Sequence, residues 1–245
     1  MKQTICIIGG GASGMAAAIA AKSANPVCQG FILEKQARVG KKILATGNGR
    51  CNIGNKGASV DHYYDHVGRN PQLVQTVLQA YSAASNVDFF ASFGLMVREE
   101  EQGKQYPFSN QAASVLDLLR LKLASLQVMI QTDTTVVDII LQEKGFLVRT
   151  NRENYRCDKL ILACGGVASP QLSNSLGIRK ITDRLGLPST KTFPALVQLK
   201  LDSSLPKALK GQKIEAVVGL WQNDQLLRQE KGEVLFTEYG ISGPP

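Results

Sequence analysis

Apolar residues along this chain come in short runs, separated by glycine-rich or charged stretches, and the runs set out the elements. Thr4 to Ile8 is a β-prone apolar run. Met15 to Ala21 is made of small residues that let a helix lie close to a sheet, and Gly30 to Leu33 is a second apolar run ending at Glu34. Strand, glycine turn, helix and strand within about 30 residues form a βαβ unit, whose strands are parallel neighbours. Lys35 to Gly57, rich in Gly, Asn and basic residues, reads as a long loop of the kind that serves function in a compact domain. Pro71 to Ser85 and Val87 to Phe93 read as helices. Ala112 to Leu126 is a clearer one, with Val115, Leu116, Leu119 and Leu123 on one face. Thr134 to Leu141, Phe146 to Thr150 and Tyr155 to Cys157 read as consecutive antiparallel strands, and Lys159 to Ala163 as a buried strand running into Cys164-Gly165-Gly166. Between Pro188 and Pro194 the texture changes. Short β-like pieces follow at Leu196 to Leu201, Ile214 to Leu220 and Glu233 to Phe236, as if a second domain begins.

Composition narrows the class. The 245 residues, 44% of them hydrophobic, can bury a substantial core, which argues against disorder, and no repeat points to a solenoid. No uninterrupted apolar run reaches the roughly 18 residues a membrane-spanning helix needs. Five cysteines, an odd number without a CxxC or zinc-like spacing, read as thiols of a reducing cytoplasm. Lys2 and the apolar residues after it imitate a secretory signal, but Gly9-Gly10-Gly11-Ala12-Ser13-Gly14 interrupts the run where a signal helix needs continuity.

Those same residues carry the chemistry. Gly9-x-Gly11-x-x-Gly14 follows a strand and opens a helix, the setting a dinucleotide-binding turn requires. Gly9 permits the tight turn, Gly11 lets backbone approach a pyrophosphate, and Gly14 allows close packing of helix on strand. The helix N-terminus, at Ala12 and Ser13, offers N–H groups and partial positive charge to phosphates. Glu34 stands 20 residues past Gly14, at the tip of the second strand, where a carboxylate accepts hydrogen bonds from ribose hydroxyls. An acid there disfavours a 2′-phosphate, so FAD or NAD is preferred to NADP. Arg38, Lys41, Lys42 and Arg50 put four cations in the following loop, beside the site for a doubly charged pyrophosphate.

Ile7-Ile8-Gly9-Gly10-Gly11-Ala12-Ser13-Gly14-Met15-Ala16-Ala17, followed by Leu33-Glu34-Lys35, resembles the N-terminus of flavoproteins with two dinucleotide-binding domains, which hold FAD there. Val39-Gly40-Lys41-Lys42 and Thr46-Gly47-Asn48-Gly49-Arg50-Cys51-Asn52 resemble the "GKK…SGGGRCN" signature of the bacterial BaiN/YhiN-like flavoproteins. Tyr106-Pro107-Phe108-Ser109, Ala163-Cys164-Gly165-Gly166, Pro194-Ala195-Leu196-Val197 and Leu235-Phe236-Thr237-Glu238-Tyr239-Gly240 match it in order. The resemblance implies that Gly40, Lys41, Lys42, Gly47, Gly49, Arg50, Cys51 and Asn52 lie along the FAD. It implies further contacts from Lys35, Val136, Ala163, Cys164 and Gly165. Asn48 stands where the family tends to have Gly, and Cys164 where it tends to have Thr. Ser173 to Arg179 departs from a glycine-rich run in relatives, and Leu187 from an expected His.

Weaker signals stay below these. Asp61, His62, Asp65 and His66 give a His-x3-His pair flanked by carboxylates, but no third ligand joins it, so no metal is expected. Cys51 reads as a packing neighbour of the flavin ring, because no close pair of cysteines exists in sequence to pass electrons through a disulfide. The net charge of +8 leaves room for a polyanion, yet no aromatic–basic motif of an RNA-binding module appears, so nucleic acid is not the expected partner. The expected fold is α/β. A three-layer FAD-binding Rossmann-like domain with a parallel sheet and a β-meander crossover fills residues 1–190, and the start of an inserted, mostly β domain fills 191–245. The expected function is an FAD-dependent oxidoreductase, with NAD(P)H as electron donor and a small molecule as substrate. A flavin-containing tRNA-modification factor and a flavin-binding protein without turnover are the alternatives. Members of the resembled family are associated with bile-acid double-bond reduction and with amine oxidation. No residue is singled out as the catalytic acid or base. The same resemblance leads to the expectation that the 245 residues stop inside the inserted domain, short of a returning C-terminal segment.

Overall fold

The structure, a computed structural model, describes residues 2–63, 71–172, 176–194 and 196–243. It comprises two compact units, Met1–Ser189 and Thr190–Pro245. In the first unit the chain runs through β1 (Thr4–Ile8), α1 (Ala12–Ala24), β2 (Gln29–Leu33), α2 (Lys41–Ala45), β3 (Gly54–Asn55), α3 (Pro71–Ala80), α4 (Ala83–Ala91), β4 (Val97–Glu99) and β5 (Lys104–Pro107). It continues through α5 (Ala112–Ser125), β6 (Met129–Gln131), β7 (Val136–Leu141), β8 (Phe146–Thr150), β9 (Asn154–Cys157), β10 (Lys159–Leu162) and α6 (Leu176–Arg184).

β10, β1, β2 and β6 form a parallel sheet in that order, in a register that sets Ile7 beside Ile161 and Ile32. The alternation along β1 explains the layering. Ile5 and Ile7 point to a core with Met15, Ala18 and Ile19 of α1 and with Val115, Leu119 and Leu123 of α5. Cys6 and Ile8 point the opposite way, to Ile139, Val148 and Cys157 of an antiparallel β7–β8–β9 meander and to Ile181 of α6. Central strands covered on both faces are apolar without interruption, and that is why they read as runs. The result is three layers: helices, parallel sheet, meander.

Four details differ from the sequence expectation. The segment read as a loop after β2 contains α2, a 3₁₀ turn at Thr46–Gly49 and β3, which joins β5 and β4 in a small antiparallel sheet. The helices expected over 71–85 and 87–93 are present as 71–80 and 83–91, with the break moved from residue 86 to residues 81–82. The Ser82 hydroxyl accepts the Ser85 N–H at 3.2 Å and starts α4 afresh. β6, the outermost parallel strand, is three residues long and too short to announce itself by pattern. In the second unit, β11 (Leu199–Lys200), β12 (Lys213–Gln222), β13 (Gln225–Phe236) and β14 (Gly240–Ser242) make an antiparallel sheet ordered β11-β14-β13-β12, with the short helix α7 (Leu205–Ala208) between β11 and β12 in the chain. The strand expected over 233–236 begins at Gln225, because Asn223 and Asp224, at φ 49° and 60°, form the two-residue turn of a hairpin whose strands are mostly solvated. Among the described residues no helix is long and apolar enough to cross a membrane.

Candidate functional site

After Ile8 the chain turns through Gly9, Gly10 and Gly11 into α1. Gly9 has φ +107°, and a Cβ there would lie 2.4 Å from the Ala163 carbonyl oxygen, so both conformation and space demand glycine. At Gly14 a Cβ would lie 1.9 Å from the Gly9 carbonyl oxygen; its absence seats the helix on the turn. Gly11 is different. Its φ of −80° suits any residue, and a Cβ built on it meets no protein atom within 4 Å. The bare side of Gly11 therefore opens on empty space. No side chain caps α1 there and its first turn holds no acid, so its N–H groups and the positive end of its dipole are available to an anion.

Glu34 leaves the tip of β2 and is fixed at both oxygens. Its Oε2 accepts the Gly10 N–H at 2.7 Å and its Oε1 accepts the Gln36 N–H at 2.8 Å, which leaves further lone pairs for hydroxyl donors. The Gly10 carbonyl in turn accepts the Gly40 N–H at 2.9 Å, so the middle residue of the glycine turn is held on both sides of its Cα. Gly40, at φ +73°, leads into α2 and presses against Leu116, where a Cβ would come within 2.3 Å of Cδ1.

These pieces enclose a cleft of about 480 Å³, inside the range of roughly 300–1,000 Å³ common for small-molecule sites. Gly9, Gly11, Ala12 and Ser13 line it from the turn. Glu34, Lys35, Gly40, Lys41 and Lys42 line it from the chain after β2, Val136 from β7, and Ala163, Cys164 and Gly165 from the end of β10. Gly14, Gly47, Gly49, Arg50, Cys51 and Asn52 do not line it. Of the four loop cations, Arg38, Lys41 and Lys42 border the cleft. Lys41 Nζ donates to Gln36 Oε1 at 2.8 Å, and Lys42 Nζ to the Ala168 carbonyl at 2.6 Å. Arg50 is drawn elsewhere: its guanidinium pairs with Glu100, donates to Asn110 Oδ1 at 2.9 and 3.2 Å and stacks 4.0 Å above the Tyr106 ring. Sequence reasoning did not find Gln36, Thr46, Thr134, Thr135, Leu172 and Ile178, which also line the cleft. Thr134 and Thr135 arrive because the Thr134 N–H donates to the Glu34 carbonyl at 2.9 Å, a tertiary contact that no local motif announces.

The cysteines separate by environment. Cys164 donates from Sγ to the Ile8 carbonyl at 3.4 Å, and burial pushes its thiol up to about 11. Cys51 is half-buried and packs against the helix-side core. Cys6 and Cys157, far apart in sequence, meet in the meander-side core. Their mutual hydrogen bond, together with burial, holds the Cys6 thiol well above its ordinary value. His62 is exposed, with Nδ1 2.9 Å from the Gly57 carbonyl oxygen, and Asp65 and His66 lie outside the described residues. Among the described residues no group of three His, Cys, Asp or Glu side chains gathers as a metal site.

The family model described as "HI0933-like protein Rossmann domain" matches residues 3–238. The 3-dehydro-bile acid delta(4,6)-reductase of Clostridium scindens is 41% identical over 241 residues, 98% of this chain and 58% of that protein. The ribosomal RNA dihydrouridine synthase of Escherichia coli is 28% identical over 242 residues, 97% of this chain and 58% of that protein. This chain thus spans 58% of the length of these relatives. Among solved structures, Thermovibrio ammonificans THI4 superposes with a TM-score of 0.50 at 13% identity, covering 86% of this chain and 71% of its own. Escherichia coli quinol fumarate reductase FrdA gives 0.50 at 19% identity, covering 67% and 33%. Both likenesses are of fold.

Proposed function

The chain belongs to the HI0933-like family of Rossmann-type flavoproteins, and on that footing we propose that it holds FAD and serves a reductase that saturates a carbon–carbon double bond conjugated to a carbonyl. The observation that carries the cofactor reading is Gly11, whose open side faces the cleft beside the uncapped start of α1. That is a cradle a Cβ would fill and a pyrophosphate fits. Glu34, already fixed by two backbone N–H groups, takes the adenosine ribose hydroxyls, while Arg38, Lys41 and Lys42 offset the phosphate charge. Bound FAD supplies hydride chemistry; the residues of this chain bind it, orient it and exclude water around it.

The substrate class follows from chemistry shared by two relatives. One is named for reducing a 3-dehydro bile acid and the other for making dihydrouridine in ribosomal RNA. Both reactions saturate a double bond next to a carbonyl, the bond a hydride reaches most easily. At 41% identity the first relative favours a small alicyclic enone, with NAD(P)H as the electron source. A uracil within RNA is the second reading, favoured by the net charge of +8. The test is an absorbance spectrum of the purified protein, then anaerobic NADH, NADPH, and finally either a steroid enone or a uridine-containing RNA. A flavin spectrum bleached by the nicotinamide and restored by one of the two acceptors is expected. Flavin that is bound and bleached but restored by neither acceptor sinks the substrate class, and a preparation that takes up no FAD sinks the cofactor reading.

A further inference from the structure

Residues 46–52 begin on the cleft, at Thr46, and leave it at once. Gly47, Asn48, Gly49 and Cys51 have φ of 53°, 59°, 82° and 59°, so this stretch is dominated by left-handed backbone, and two of the four carry a Cβ. Asn tolerates that conformation and Cys does so poorly. Inside the segment two backbone hydrogen bonds support it, Arg50 N–H to the Gly47 carbonyl at 3.1 Å and Cys51 N–H to the Thr46 carbonyl at 3.0 Å. A shape this unfavourable needs an outside fastener.

Arg50 is that fastener's near half. Its guanidinium stacks on Tyr106, whose ring also bounds Gly47, where a Cβ would lie 3.3 Å from Cε1. The far half is Glu100, just past β4. One carboxylate oxygen of Glu100 accepts from both Arg50 and Arg98, and Arg98 sits opposite Tyr106 in the β4–β5 register. Three side chains, Glu100, Tyr106 and Asn110, thus meet the Arg50 guanidinium, and Arg98 shares its carboxylate partner. The two arginines hold the Glu100 carboxyl below the usual carboxylate range, so it is ionised at neutral pH.

We propose that Glu100 is a positioning residue for the cofactor: by holding Arg50 against Tyr106 it keeps residues 47–52 in their left-handed course, and so fixes Thr46, where the segment meets the cleft, and sets how tightly FAD is held. The inference rests on the FAD reading above and adds a residue remote from the cleft that motif and family resemblance did not single out.

The experiment compares FAD affinity, the visible spectrum of the bound flavin and the melting temperature without FAD across five proteins. Glu100→Gln keeps size and removes the charge. It is expected to raise the FAD Kd about tenfold and to shift the flavin spectrum, with a melting temperature near that of the parent. Glu99→Gln, which removes the neighbouring carboxylate and only its exposed pair with Lys56, is expected to match the parent. Arg50→Gln is made alone and combined with Glu100→Gln, and the double variant is expected to lose less than the sum of the two single variants, because the two side chains share one contact. Parental affinity and spectrum in Glu100→Gln, or fully additive losses in the double variant, would overturn the assignment while leaving the FAD reading intact. A parent protein that fails to bind FAD removes both.

Discussion

Among the side chains that line the cleft, Cys164 has its ordinary chemistry altered by where it sits. Partial burial in the cleft wall pushes its thiol up to about 11 from the ordinary 9.0. The neutral thiol therefore prevails at physiological pH, and alkylation by iodoacetamide is expected to rise roughly tenfold per pH unit between pH 8 and pH 10. Peptide mass spectrometry reads the rate at this one site, and saturating FAD is expected to suppress it. A rate already flat below pH 9 contradicts the burial. The sign for stability runs the same way. The unfolded thiol ionises near 9 and the folded one near 11, so the contribution is whole below pH 9 and is lost as pH climbs toward 11. Glu34 and Glu100 mark the limits of reading residues from sequence. The first sits at a fixed distance behind a glycine motif and declares itself. The second acts through Arg50, which is 50 residues away, and only the fold makes them neighbours.

Elements were legible where one physical rule governed them. β1 and β2 are covered on both faces, β10 at the end of the sheet order is half-buried, and all three read as apolar runs, while α5 shows its buried stripe of Val115, Leu116, Leu119 and Leu123. Elements held by tertiary contacts were not: β6 is fixed by its pairing with β2, and α2 by Gly40 against Leu116. The first half of β13 was hidden because its residues are exposed and follow no alternation. The turn between β1 and α1 permits a sharp contrast between two of its glycines. Gly11→Val places its side chain in open space with φ already acceptable, so the fold is expected to lose little, within about 1 kcal/mol, while FAD affinity falls at least tenfold. Gly14→Ala drives a methyl into the Gly9 carbonyl and is expected to cost about 1–3 kcal/mol of stability, whether or not FAD is present. Urea melts with and without FAD separate the two. Equal loss of stability in both variants would contradict the assignment of Gly11 to ligand space.

For the whole molecule the decisive fact is that every residue lining the cleft belongs to the unit Met1–Ser189. Saturating FAD, at a hundred times its Kd, adds about 2.7 kcal/mol to whatever unfolds together with the site. Hydrogen exchange read by mass spectrometry is expected to show added protection over β1, β2, the start of α2 and the first residues of β7, and none over the β12–β13 hairpin. Protection that spreads evenly over both units would mean that they unfold as one.

Gly10, gripped at its N–H by Glu34 and at its carbonyl by Gly40, gives the glycine turn a further property. The turn is a mould cast in advance. Neither of the bonds that hold it involves a ligand, so arrival of the cofactor spends no free energy on arranging this stretch of backbone. With the pyrophosphate placed there as proposed, recognition becomes a matter of exchanging water for phosphate on a ready surface.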